Sequence, residues 1–586
     1  MPSEGGPEAE GSELGRPWPS LGPLNGLVDE ARRHFGRAVG FLARMRKPLG
    51  EVHAYVPGET PVRRLFAVPA IFGFLSAIAI TWGASLPSSP FTWKSCAGIL
   101  PGSVTVCHPW FFGIPPPPVV TGAPLPADKS LFIGLVAVYG GMVLMMQAWI
   151  ALVRVARRHK GLLVRVFAAV FAAWTLPLLV VAPLFSRDAY SYAAQGEMMS
   201  RGISPYLFGP GMIGVNAFSG LVDRLWADVT SPYGPVFLWL AGVNATVVGH
   251  NELLAVVGFR VLALAGVVMI AIFVPRLARS YGRDPSLAFV LAVLNPLVLL
   301  HLVAGAHNDA LMLGFLVAGL SVARGGRPAL GVLLCTVGAM VKVPAFIGVV
   351  YIGWEWLGDD VPFRSRVRPT LAATAMAIAA MAAVSEMVGL GWGWVNALNN
   401  PGTVLSWLDP PTAVGLTSAK LLAVLGLGYH QQLLLSVARD LGALIAAVIA
   451  LRLLLRAKGA GTMRAIGFTL LAVAFLGPTM QPWYVAWSMV VFATVAEHRL
   501  RVLLIVLSCV SSFFGLPGEG KLVTEFGEAN PILIAFASLA IVIVLAIPLV
   551  IRVRRALRTA PLPTAAPPAA ALQTTAEDRV LAVPRS

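Results

Sequence analysis

The sequence predicts an all-α polytopic membrane protein, and three observations predict it. Hydrophobic residues make up 57% of the chain and charged residues only 12%. The mean hydropathy is +0.76, and the apolar residues fall in runs of membrane-spanning length separated by short basic clusters. A soluble globular chain carries about twice that share of charge, so a soluble protein is excluded. A net charge of +16 would suit a nucleic-acid partner if the Lys and Arg residues shared one face. They lie between apolar runs instead, as in cytoplasmic loops, so the charge reports topology and no nucleic acid is expected.

Taken in order, residues 1–60 are rich in Gly, Pro, Ser and charge. They are expected to be disordered apart from an amphipathic piece at DEARRHFGRAVGFLARMRK, and they lack the early apolar core of a signal peptide. Residues 61–555 form the transmembrane domain, and the Ala/Pro-rich tail 556–586 is again expected to be disordered. A hydrocarbon core about 30 Å thick needs about 20 apolar residues per helix. On that basis spans fall at 65–84, 130–153, 162–185, 253–276, 286–303, 309–323, 328–342, 344–357, 370–389, 433–455, 464–478, 484–496, 501–516 and 531–551. That is about fourteen, with 328–357 reading either as one kinked helix or as a re-entrant pair.

The clusters RVARRHK, PRLARSYGR, ARGGR, RSRVR, EHRLR and IRVRRALR fall on one side of this alternating arrangement. The positive-inside rule makes that side cytoplasmic, with both termini inside a plasma membrane. Of four cysteines, Cys96 and Cys107 share the external loop 85–129 and are placed to close a small disulfide loop in an oxidising compartment. Cys335 and Cys509 fall within spans and read as core packing.

Ionisable groups at membrane depth are costly and tend to mark function. The external ends carry Arg187 and Asp188, Glu252 and Arg260, His307 with Asn308 and Asp309, Lys342, Glu386, and Gln481 with Trp483 and Tyr484. The cytoplasmic ends carry little beyond the basic clusters and Asp359–Asp360. Each has an ordinary alternative. Asp188 in SRDAYSYAAQ suits a helix cap, His307 and Asn308 suit a bridge between spans, Lys342 suits snorkelling to head groups, and Trp483 with Tyr484 suits an aromatic belt. Their coincidence on one face points to chemistry facing outward.

Nucleotide chemistry finds no support. GLPGEGKL, from Gly515, copies the spacing of a phosphate-binding loop, but position 522 is Leu where Ser or Thr should hold Mg²⁺. No HExxH or Asp-x-Asp occurs, and no Gly-x-Gly-x-x-Gly follows a strand, so neither a metal nor another cofactor is expected. An external site without ATP needs a donor already activated in the membrane, such as a polyprenyl phosphate sugar. Its chemistry asks for a carboxylate to deprotonate the acceptor and for cationic or amide donors at the departing phosphate. Asp188 with Tyr190 and Tyr192, and Arg187, Arg260, Lys342 and Gln481, supply that set.

The stretches SRDAYSYAAQGEMMSRGISPYLFGP, SPYGPVFLWL, NPLVLLHLVAGAHNDALMLG, VKVPA and QPWYVAW together resemble the actinobacterial polyprenol-phosphomannose-dependent α-1,6-mannosyltransferases. These are GT-C-type membrane glycosyltransferases that build the mannan core of lipomannan and lipoarabinomannan. The resemblance runs in order from about residue 60 to about residue 550.

The resemblance implies a transmembrane module with external loops carrying short interfacial helices, which suits 186–252 and 390–432. It implies that Asp188 is the general base, with Tyr190 and Tyr192 of the same motif beside it. Pro205–Tyr206 and Tyr233–Gly234–Pro235 match the family's turns. His307, Asn308 and Asp309, then Lys342 with Pro344, then Gln481 through Tyr484 match its remaining motifs. The implied partners are a polyprenyl-phosphate-mannose donor and a mannosylated phosphatidylinositol or related mannolipid acceptor. The family has early- and late-acting types, and the SPYGPVFLWL and HND turns lean towards the one that builds the proximal chain.

The expected reaction is a metal-independent, inverting single displacement. Asp188 takes the proton of the acceptor 6-hydroxyl, which attacks the anomeric carbon of a β-mannosyl phosphopolyprenol. Lys342, Arg260 and Arg187 are the candidates for holding phosphate, and His307 and Asp309 for positioning the acceptor. The rival from another class is a transporter of a lipid-linked sugar, which would show related halves with polar groups at the midplane. A polyprenyl-phosphate-dependent transferase for another sugar shares the physical argument, and the family resemblance disfavours it.

Overall fold

The computed structural model describes residues 62–86, 91, 95–97, 106–108, 127–159, 164–214, 216–397, 400, 405 and 407–514, all within the compact unit Thr60–Ser586. The two expected disordered tails, the GLPGEGKL stretch and the expected span 531–551 lie outside the described residues. The helices of eight residues or more begin with α1 (Val62–Ser85), α2 (Ala127–Arg158), α3 (Val164–Leu178), α4 (Asp188–Ser200), α5 (Pro235–Val247), α6 (Glu252–Ser280) and α7 (Pro285–Ala292). They continue with α8 (Asp309–Arg324), α9 (Pro328–Ala339), α10 (Phe346–Glu355), α11 (Phe363–Met387) and α12 (Pro410–Val424). The last four are α13 (Gln431–Leu455), α14 (Ala460–Leu476), α15 (Val485–Ala493) and α16 (His498–Phe513).

The architecture is that of an all-α polytopic membrane protein. Among the described residues α1, α2, α6, α11 and α13 are long and apolar enough to cross a membrane. A π-helical turn, Val298–Ala304, and α8 make a sixth if that pair, bent by 111°, counts as one span. Among the described residues, other expected spans are shorter apolar helices, among them α3, α9, α10 and α14. A count made from apolar length does not register breaks within a span. The breaks are where proline stands: Pro177 in the last turn of α3, Pro296 before the π turn, Pro344 before α10 and Pro482 before α15. Each removes a backbone N–H and crowds the preceding turn. The stretch 328–357 accordingly forms two helices, α9 and α10, with Lys342 in the gap between them.

Two contacts fix which ends meet. A Cβ added at Gly266 of α6 would lie 2.3 Å from the Ala310 carbonyl carbon, so α6 and α8 touch backbone to backbone there. Further along, Arg324 at the end of α8 sits 4.9 Å over the Tyr281 ring, just past the end of α6. The two helices therefore run parallel, with Asp309 level with the middle of α6 and Arg324 with Tyr281 at its C-terminal end. Short strands Ser95–Ala97 and Val106–His108 pair antiparallel, with Cys96 directly opposite Cys107. Cys335 is buried and Cys509 half-buried, both as free thiols within helices.

Candidate active site

The polypeptide leaves α3 with carbonyls that have no helical partner, turns through Phe185 in the left-handed region (φ 65°), and starts α4 at Asp188. The Asp188 N–H donates to Ser186 Oγ at 3.1 Å, and no side chain caps the helix. The Asp188 carboxylate is thus released from the capping role. Its Oδ2 accepts from Tyr192 Oη at 3.4 Å and lies 3.3 Å from His307 Nδ1, with 19% of the side chain exposed. Burial pushes this carboxyl up, but the hydrogen bond and charge of His307, the charge of Lys342 and the Ser186 hydroxyl outweigh it and hold Asp188 below its ordinary value. At neutral pH the group is an ionised base.

His307 is presented by the bend between the π turn and α8, where Ala306 is also left-handed (φ 55°). The His307 ring is fully buried and stacks on Trp483, centroids 3.8 Å apart and 22° from parallel. Two residues on, the buried Asp309 carboxylate accepts from Lys342 Nζ at 2.9 Å on each oxygen and from Trp487 Nε1 at 2.6 Å. Lys342 also lies 4.5 Å over the Tyr484 ring. Trp483 and Tyr484 come from the 3₁₀ turn Pro482–Tyr484, which joins the break between α14 and α15 to the same cluster. Asp309 takes two of the three ammonium donors of Lys342 and leaves one.

Of these groups Asp188, Lys342, Trp483, Tyr484 and Trp487 border a cavity of about 420 Å³. Asp188, Gln195, Lys342 and Gln481 contribute polar groups to its lining, while Ile347, Leu470 and Val473 contribute apolar ones. Val473 is 37% exposed, so the apolar part of the lining includes a residue open to the surroundings. Tyr233 forms another wall. The Gly234 N–H donates to Val341 O at 3.2 Å, and a Cβ on Gly234 would fall 2.2 Å from Met340 O, so only glycine lets Tyr233 sit this close to the Lys342 turn.

Six expected residues line the cavity: Asp188, Tyr233, Lys342, Gln481, Trp483 and Tyr484. Tyr192, His307 and Asp309 stand behind them and hold them. Asp309, expected to position the acceptor, is fully enclosed and bonded to Lys342. Tyr206 also supports from behind, its hydroxyl donating to Tyr233 O at 2.7 Å. Tyr190 and Asn308 are buried and do not line the cavity.

The two arginines expected to hold phosphate donate to backbone carbonyls. Arg260 is buried and donates to the carbonyls of Leu179 (2.7 Å), Val181 (2.6 Å) and Ala304 (2.9 Å). Those carbonyls stand at the broken ends of α3 and of the π turn, where no helical partner exists. Arg187 donates to Val222 O at 3.3 Å, and neither guanidinium borders the cavity. Ser191, Gln195, Trp226 and Trp487 line it without having been anticipated. For two of these the signal was present, since Ser191 and Gln195 follow Asp188 by three and seven residues on one helical face.

Residues 98–358 match the family described as alpha-(1->6)-mannopyranosyltransferase, N-terminal domain, and residues 411–549 match the MptB C-terminal domain. A probable alpha-(1->6)-mannopyranosyltransferase of Mycolicibacterium smegmatis is 32% identical over 466 residues, covering 73% of this chain and 82% of that protein. Alpha-(1->6)-mannopyranosyltransferase A of Mycobacterium tuberculosis is 33% identical, covering 64% of this chain and 73% of that protein. Alpha-(1->6)-mannopyranosyltransferase B of Corynebacterium glutamicum is 32% identical, covering 59% and 62%. No solved structure matches.

Proposed function

The chain belongs to the alpha-(1->6)-mannopyranosyltransferase family, and on that premise we propose that it moves mannose from polyprenyl-phosphate-mannose to a mannolipid acceptor, forming an α-1,6 linkage with inversion. The observation that carries the donor assignment is the mixed lining of the cavity. A carboxylate and an ammonium border it together with the apolar Ile347, Leu470 and Val473, of which Val473 is exposed. A donor with a charged sugar phosphate head and a prenyl tail suits such a lining.

In the proposed reaction Asp188 Oδ takes the proton of the acceptor 6-hydroxyl as that oxygen attacks the anomeric carbon. The bond from that carbon to the phosphate oxygen breaks, and the phosphate leaves with the electron pair. The donor of Lys342 not taken by Asp309, with the Gln481 amide, meets the developing charge without a metal. Trp483, Tyr484 and Tyr233 offer flat apolar faces to the sugar rings. His307, backed by Trp483, holds Asp188 in place.

The same reading sets the cavity on the external face of the plasma membrane with the termini inside. In support, Asp309 and Arg324 lie at opposite ends of α8. Arg157 and Arg158 close α2, and Arg279 closes α6, as the positive-inside rule asks of cytoplasmic ends. Of the family's two types, the chain is assigned to the one that builds the proximal mannan core of lipomannan and lipoarabinomannan.

The test is to incubate membranes carrying the protein with synthetic mannosyl phosphopolyprenol and a short α-1,6-mannoside, then determine the linkage of the product. A new α-1,6-linked mannose is expected. Transfer of a different sugar in preference, or movement of the donor across the bilayer without transfer, would overturn the assignment.

A further inference from the structure

At the other end of the bundle a second cavity, of about 360 Å³, is bordered by Arg157, Arg283, Asp284, Glu497, His498 and Arg501. It forms where the last turn of α2, the turn between α6 and α7, and the start of α16 meet. Its charges do not cancel. Glu497 is shared between Arg283 at 2.5 Å and Arg464 at 2.8 Å. Asp284 Oδ1 accepts from the Leu287 N–H at 2.7 Å as the cap of α7. Both carboxylates are thereby engaged. Among the described residues, neither Arg157 nor Arg501 has a carboxylate within ion-pair distance.

Two half-buried guanidiniums therefore face one cavity without a carboxylate in ion-pair contact with either, an arrangement that an entering anion would relieve. A second feature points the same way. Helix α16 begins without a side-chain cap, so the N–H groups of its first turn, from His498 to Leu500, have no helical acceptor and favour an anion. Depth identifies the source of that anion. Arg157 lies in the last turn of a membrane-spanning helix and Arg283 just beyond the end of another, which is the level of lipid head groups.

We propose that this cavity binds the phosphate of an anionic phospholipid head group, gripped by Arg157 and Arg501, as a lipid site separate from the mannosyl-transfer cavity. Phosphate and guanidinium geometry match through paired hydrogen bonds, and a basic pocket between membrane helices at this level is suited to a charged head group. Neutral zwitterionic lipid would leave the excess positive charge in place.

The test uses the full-length protein, purified and delipidated in detergent, with native mass spectrometry during titration with dioleoylphosphatidylglycerol, dioleoylphosphatidylcholine or inorganic phosphate. One phosphatidylglycerol should bind in preference to phosphatidylcholine. The Arg157→Gln/Arg501→Gln double variant should bind it about tenfold more weakly or worse. The Arg157→Lys/Arg501→Lys variant, which keeps the charge, should retain most of the preference for anionic lipid. Melting temperatures of both variants establish that they are folded. Equal binding by wild type and the Gln variant overturns the proposal. So does retention of inorganic phosphate with no preference between the two lipids, which would make this a free-anion site. If the Gln variant does not fold, loss of the anionic preference in the folded Lys variant also counts against it.

Discussion

His307 Nδ1 stands 3.3 Å from Asp188 Oδ2, and a left-handed non-glycine residue precedes each partner: Ala306 directly before His307, and Phe185 three residues before Asp188. Such conformations cost about 1–3 kcal/mol each and persist where surrounding structure imposes them. Here both turns deliver one contact, between the carboxylate that faces the cavity and a buried ring locked against Trp483.

His307→Ala should therefore reduce transfer by about ten- to a hundredfold, short of the loss expected for the base itself. It should also move the pH profile. In the wild type Asp188 is held below the ordinary carboxylate value of about 4, so its acid limb lies below that pH and activity is flat with respect to this group at neutrality. Removing His307 leaves burial, which raises the value, with less opposition. The acid limb should shift to higher pH. A rate–pH profile with an unmoved acid limb would sink the positioning role.

The Asp309–Lys342 pair is nearly dry, with side-chain exposures of 0% and 12%. Removing one partner leaves a buried unpaired charge, so Asp309→Ala should cost about 3–5 kcal/mol of stability. The double variant Asp309→Leu/Lys342→Met should regain much of that stability yet remain inactive, because the ammonium that meets the phosphate is gone. Thermal unfolding and transfer assays on the same preparations check both halves.

Arg260 is expected to behave as a structural residue. Arg260→Lys cannot reach three carbonyls at once, and each charged hydrogen bond contributes about 1.5–3 kcal/mol. Stability should fall by at least that amount, while folded molecules keep a near-normal affinity for the donor. A large rise in the donor KM without loss of stability would return Arg260 to the phosphate.

Cys96 and Cys107 occupy directly opposed positions in an antiparallel pair, where Cα atoms lie about 4.5–5.5 Å apart, within the range a disulfide needs. Protein from an oxidising compartment should take up no alkylating reagent at these two positions until it is reduced. Equal labelling before and after reduction would exclude the bond.

Much of the site was legible in the sequence because charged and amide groups at the ends of apolar runs are rare enough to mark themselves. Asp188, Lys342 and Gln481 were found that way, and they share one cavity. What was not legible was the direction in which a polar group points. Arg260 looked like a phosphate ligand because nothing in an apolar run announces that it is about to break, and the carbonyls at such a break claim a guanidinium as readily as a phosphate does. For the same reason apolar length does not show which spans are broken. Trp487 carries no signal in the sequence, because a tryptophan in an apolar helix has no distinguishing pattern, and only the fold brings its indole N–H to Asp309.

The central claim is that Asp188 removes the acceptor proton, and the most direct measurement is single-turnover mannosyl transfer by Asp188→Asn with donor and acceptor saturating. Asparagine keeps the size of the side chain but is not a base. Transfer should fall by about 10²–10⁴-fold with donor binding preserved. Transfer at the wild-type rate would contradict the account.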